Sequence, residues 1–131
     1  MPRFLIAIVC AALVLPASGR ADPTMECSLD AGSQVEIGTC VNAQLERVDA
    51  AMEQALQFAR DAAAELDGVT EREAAGPALD AAQTAWERYR DGECAYQATL
   101  FGGGSGAGIS EAACRVTLTR ARIADLMGSL P

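Results

Sequence analysis

The sequence predicts an all-α fold: a small, disulfide-stapled, antiparallel three-helix bundle with one long first helix. Three observations carry this expectation. Apolar residues recur at steps of three and four over long stretches without proline, as on helices that bury one stripe. No segment sustains the period-two alternation of a half-buried strand. Four cysteines follow an apolar leader in a chain of 131 residues, a size that suits one domain and gains much from covalent staples.

The leader comes first. "MPR" is a short basic start, "FLIAIVCAALVLP" is an apolar run too short to span a bilayer comfortably, and "ASGRA" supplies small residues for cleavage. Residues 1–21 therefore read as a signal peptide, cut after Gly19 or Ala21, and residues 22–131 as the domain. No stop-transfer pattern favours an uncleaved anchor. "AIVC" lacks the small residues that precede a lipidated cysteine, so Cys10 is not read as a lipid site. The expectation is a periplasmic or secreted protein with no stable membrane insertion once the signal is removed.

Residues 22–32 read as an irregular arm. Ser33 and Glu36 have the spacing of a capping box, and open a first helix over 34–66. Its stripe is Ile37, Val41, Leu45, Val48, Met52, Leu56 and Ala59, and its length would be roughly 50 Å. "DGVTEREAAGP" is the turn region. Thr70 and Glu73 suit one extra turn there, and Pro77 suits the first turn of a second helix over 77–100. Leu79, Ala82, Trp86, Tyr89, Glu93 and Tyr96 would share one broad face of that helix. A flexible loop with five glycines in residues 102–108 leads to Ser110, read as the cap of a third helix over 111–127 with Gly128 as its stop.

This topology brings Cys27, Cys40, Cys94 and Cys114 to one end of the bundle. Four cysteines allow three pairings, and sequence does not choose among them. Cys27–Cys40 with Cys94–Cys114 is preferred, because the second bond would clamp the Gly-rich loop. A four-cysteine zinc site is the competing reading; it is disfavoured by the oxidising compartment and the lack of any CxxC pair.

Composition narrows the chemistry. There is no histidine, which removes histidine-paired nucleophiles and histidine metal ligands. The glycine loop lacks a preceding strand and a GxxxxGK[ST] pattern, so it is a weak phosphate signal. No cofactor is expected. Every basic residue is arginine, and losing Arg3 and Arg20 with the signal takes the net charge from −8 to −10. On that charge nucleic acid and anionic membrane surfaces are poor partners and no nucleic-acid partner is expected, whereas a basic protein suits it.

The densest stretch is "AAQTAWERYRDGECAY", residues 81–96, with the only tryptophan and both tyrosines. Trp86 and Tyr89 read as core anchors beside Gln83. Arg90 has Glu87 and Glu93 within reach on its own helix, and Asp91 could pair with Arg122 of the third helix. Glu87, Asp91 and Glu93 could in principle serve as hydrolytic carboxylates, but a three-helix bundle offers little cleft to raise one pKa. The protein is therefore not expected to be an enzyme.

The order Cys27, Cys40, a long helix, "AAQTAWERYRDGEC", a Gly/Ser loop and "CRVTLTRARIADL" resembles the LprI-like lysozyme inhibitor domain. The residues that carry the resemblance are Ala82, Gln83, Trp86, Tyr89, Arg90, Asp91, Cys94, Gly103, Gly104, Ser105, Cys114, Leu118, Thr119, Arg122 and Leu126. The resemblance spans about residues 27–127. It implies an exported bacterial helical module with disulfides that acts by binding lysozyme. Gln83, Trp86, Tyr89, Arg90, Asp91, Thr119 and Arg122 are expected to be structural. Glu93, Gly103, Gly104, Ser105 and Glu111 are the candidate contacts to a partner, either lysozyme or another basic protein. An envelope binding or scaffold module with a different partner is the alternative.

Overall fold

The computed structural model describes residues 21–130; the signal-peptide reading lies outside them apart from Ala21. Among the described residues there are four helices and no strand: α1 (Pro23–Ser28), α2 (Gln34–Thr70), α3 (Ala75–Thr99) and α4 (Gly106–Gly128). The helical bundle and its long helix match the expectation, and α1 is an addition to it. The arm read as irregular contains a six-residue helix. Asp22 caps it, accepting the Thr24 N–H at 2.8 Å and the Met25 N–H at 3.3 Å, and Pro23 opens the first turn.

α2 begins as the sequence predicts. The Ser33 hydroxyl accepts the Glu36 N–H at 3.3 Å. The Glu36 carboxylate reaches back to the Gly32 N–H at 2.8 Å, one residue before the cap. The helix runs four residues beyond the expected end at 66. The turn spacing read around Thr70 and Glu73 is thus replaced by one more turn of α2, with the Thr70 hydroxyl donating to the Leu66 carbonyl. Glu71 ends the helix in the left-handed region at φ 52°, a place glycine usually takes.

α3 has no cap of its own, because Ala74 carries no polar side chain. Asp67 from the last turns of α2 supplies one. Its carboxylate accepts the N–H groups of Ala74, Ala75 and Gly76 at 3.1, 2.8 and 3.0 Å. α4 starts five residues earlier than expected, so Ser110 lies inside the helix and does not cap it. The glycine loop is correspondingly short. Gly102 and Gly103 sit at φ 62° and 83°, where an L side chain is strained. Gly106 already belongs to α4, and a Cβ there would lie 3.0 Å from the Phe101 ring. A side chain at 106 would crowd that ring and push it aside by a few tenths of an ångström.

Two apolar clusters make the core. One contains Cys27, Val41, Ala112 and Ala113, with Ile37, Leu45 and Ile109 against it. The other contains Met52, Ala55, Leu56, Ala59 and Leu126, with Leu79, Trp86 and Ile123. α2 buries nothing after Ala59, and the start of α3 is tied to its last turns through Arg60–Asp80 and Asp67. The pairing is Cys27–Cys40 and Cys94–Cys114. All four sulfurs are spent in these bonds, which rules out the zinc alternative.

Candidate functional site

Two places carry the residues singled out by sequence: the α3–α4 seam and the disulfide-bearing end. At the seam, the inward positions of α3 differ from the expected face. Gln83 is buried, Trp86 and Arg90 are largely covered, and Ala82, Tyr89 and Tyr96 are exposed. Tyr89 is thus not a core anchor. The true inward register runs through Leu79, Gln83, Trp86, Arg90, Cys94 and Gln97. Sequence reading missed it because polar residues occupy half of it, and an apolar stripe was the signal used.

Gln83 and Arg90 find partners across the seam, whereas Gln97 bonds within α3. The Gln83 carbonyl oxygen accepts from Arg122 Nε at 3.2 Å, and its amide donates to Glu87 Oε1 at 3.1 Å. The Arg90 guanidinium lies 5.1 Å from the Trp86 ring centroid. Its Nε donates to Asp91 Oδ1 at 3.1 Å, and its Nη1 donates to Thr119 Oγ1 at 3.4 Å and lies 3.5 Å from Asp49 Oδ1. Thr119 is fully buried. Arg90 therefore does not use Glu87 or Glu93. Asp91 does not meet Arg122; its second basic neighbour is Arg115, 3.5 Å away. Glu93 accepts from Gln97 at 3.0 Å. The Arg90–Thr119–Asp49 layer lies between the two apolar clusters, where side-chain pairing fixes the register of α3 against α4.

A second polar lock joins α1 to the bundle. Arg120 donates to both Glu26 carboxylate oxygens at 3.1 and 3.2 Å and to Gln44 Oε1 at 3.1 Å. Gln44 completes the triangle by donating to Glu26 at 3.0 Å. The Arg120 hydrogen bonds, ahead of the cost of burial, hold the Glu26 carboxyl below the usual carboxylate range. Glu26 and Arg120 are 94 residues apart, so no local pattern announces the contact.

The disulfide-bearing end contains the candidate partner contacts. The Leu100–Ser105 connection links α3 to α4, with Gly103, Gly104 and Ser105 exposed and Cys94–Cys114 bonded beneath it. Glu111 is tied to Arg115 at 3.1 Å. Beside the connection lies an open groove of about 560 Å³ between α1, the end of α3 and the first half of α4. Met25, Phe101, Ile109 and Leu118 give it an apolar lining, and Asp22 is its one charged wall. A smaller hollow of about 350 Å³ continues past Gln34 and Ile109 to Val35 and Ser105. Among the described residues, no group of acids and cysteines is arranged to hold a metal ion. No described helix is long and apolar enough to cross a membrane.

The model of the lysozyme inhibitor LprI family matches residues 25–126, which is most of the chain and nearly all of the bundle. The chain belongs to this family. Comparison with curated proteins finds no match, and comparison with solved structures finds none. The family match covers both disulfides, the seam and the connection at the bundle's end. Within it, Gln83, Trp86, Arg90, Asp91, Thr119 and Arg122 are engaged at the seam, whereas Tyr89 is exposed beside it.

Proposed function

We propose that this protein is exported and inhibits lysozyme by binding it, without chemistry of its own. The match to the lysozyme inhibitor LprI family over residues 25–126 carries this reading. Two disulfides fit an oxidising compartment. The acidity of the chain fits a basic enzyme, since charge complementarity speeds encounter. Lysozyme cleaves with two carboxylates in a groove, and an inhibitor need only fill or cover that groove.

The Leu100–Ser105 connection is the proposed contact. Gly103 and Gly104 permit close backbone approach, Ser105 offers a hydroxyl, and Glu93 and Glu111 stand near its base as acidic neighbours. The test shortens this connection by three residues and follows inhibition of lysozymes of several types beside the helical spectrum and melting temperature. Lost inhibition in a protein that still folds supports the contact. Full inhibition by the shortened protein removes the connection from the mechanism. Absence of binding and inhibition by the intact protein, across all lysozyme types, transfers the reading to an envelope binding or scaffold module.

A further inference from the structure

The distribution of charge is as uneven as the distribution of cysteines. From Asp22 to Glu46 there are five acids and no base; the first arginine of the domain is Arg47. From Asp91 to Cys114 there are three acids and again no base. These two segments build the disulfide-bearing end of the bundle. Three arginines reach its acids, Arg120 to Glu26, Arg115 to Glu111 and Asp91, and Arg90 to Asp91, and all are held in ion pairs there. Asp22 lines the groove, and Asp30, Glu36 and Glu46 follow it in the same arginine-free segment.

The same end exposes large apolar side chains. Met25 is 67% exposed, Leu29 81% and Val35 79%. Met25 lines the main groove and Val35 the adjoining hollow, with Gln34 and Ile109 shared between the two. An apolar recess with Asp22 on its wall and no arginine in its lining is left open to solvent. Its chemistry matches a surface that presents an apolar or aromatic side chain flanked by arginines or lysines. The acids would draw such a surface in, and burial of the anchor in the recess would hold it.

We infer that the groove between α1 and α4, with the hollow beside Val35, is the docking surface for a basic protein, which inserts an apolar anchor between Met25 and Ile109. This deepens the reading of the protein as a lysozyme inhibitor and rests on it for the partner's identity. It moves the centre of the contact from the glycine connection to the groove that the connection borders.

The experiment titrates the oxidised, isotope-labelled protein with a basic lysozyme and, separately, with a short peptide of arginine and tryptophan, following backbone amides by NMR. Both probes are expected to shift amides of Thr24–Leu29, Gln34–Thr39 and Gly106–Ala113, and added salt is expected to weaken both. Met25→Glu and Val35→Glu, on exposed side chains, should each weaken lysozyme binding at least tenfold. Phe58→Glu, on the exposed middle of α2, should leave it unchanged. Peptide shifts at this end without any lysozyme binding support the surface and overturn the lysozyme reading. Lysozyme shifts on another face, with the two glutamate variants binding normally, overturn the surface and leave the lysozyme reading intact. Peptide shifts that are absent or spread over the whole protein also overturn the surface.

Discussion

Asp67 and Ala75 lie on different helices, and the carboxylate of the first accepts the backbone N–H of the second at 2.8 Å. The same carboxylate accepts from Ala74 and Gly76. One side chain near the end of α2 thereby satisfies three of the N–H groups that the start of α3 leaves free. It fixes the angle of the α2–α3 turn at the point where α3 has no cap residue of its own.

Removing this cap is expected to loosen the far end of the bundle. Asp67→Ala should lower the melting temperature at neutral pH while leaving both disulfides formed. The three backbone hydrogen bonds, that from Gly76 foremost, hold the Asp67 carboxyl below its usual range. A group with a lowered folded pKa contributes stability above its unfolded pKa and loses it as pH falls through the folded value. The gap in melting temperature between wild type and Asp67→Ala should therefore be full at pH 7 and shrink below about pH 4. Melting curves at pH 7, 5 and 3 check this; a gap that stays constant counts against the cap.

The Glu26–Arg120 pair should add to the same acid sensitivity at the opposite end. Glu26 also has a lowered folded pKa, with Arg120 as the main cause. Its contribution is thus present above the unfolded pKa and lost on acidification through the folded value. The pair is partly exposed, so Glu26→Gln should cost roughly 1 kcal/mol at pH 7. Hydrogen exchange should report faster opening of α1 in the variant, and equal exchange in the two proteins would show that the disulfide alone holds α1.

The Cys94–Cys114 bond closes a loop with a sequence separation of 20. In the chain-entropy account such a loop contributes about 3 kcal/mol. Replacing both cysteines by alanine should lower stability to urea by about that amount and increase amide exchange over 100–105. A loss confined to stability, with the connection still protected, would mean that Phe101 over Gly106 is enough to hold it.

Neighbouring aromatics should behave differently. Trp86 is partly covered by the cluster around Met52 and Leu56, and Arg90 lies on its ring. Trp86→Ala should cost about 2 kcal/mol, less than for a fully buried ring. Tyr89 is exposed, and Tyr89→Ala should stay within about 0.5 kcal/mol. Urea unfolding of the two variants distinguishes them, and a large effect at Tyr89 would contradict the register described for α3.

Much of this was legible in the sequence because it depends on neighbours in the chain. The long α2, its Ser33–Glu36 start and Pro77 in the first turn of α3 follow from local capping and periodicity. Even α1 has a local signal in Asp22 followed by Pro23, a cap residue and a first-turn proline. The position of the four cysteines at one end follows from the number of helices and their alternating direction. The family motif from Gln83 to Cys94 was also visible.

The tertiary structure decided what depends on partners far along the chain. An inward face made of Gln83, Arg90 and Gln97 looks outward to any hydrophobicity pattern. It turns inward together with Leu79, Trp86 and the disulfide-bonded Cys94, and Arg122 and Thr119 of α4 offer the bonds that offset desolvation of Gln83 and Arg90. Tyr89 and Tyr96 looked like core, yet the rotation that satisfies those polar groups leaves both in solvent. Arg120 found Glu26 rather than a nearer acid because α1 is pinned beside α2 by Cys27–Cys40. Helix propensity and apolar spacing set which segments become helices and how α2 is turned; on α3 the pairing of buried polar groups helps to set the face that turns inward.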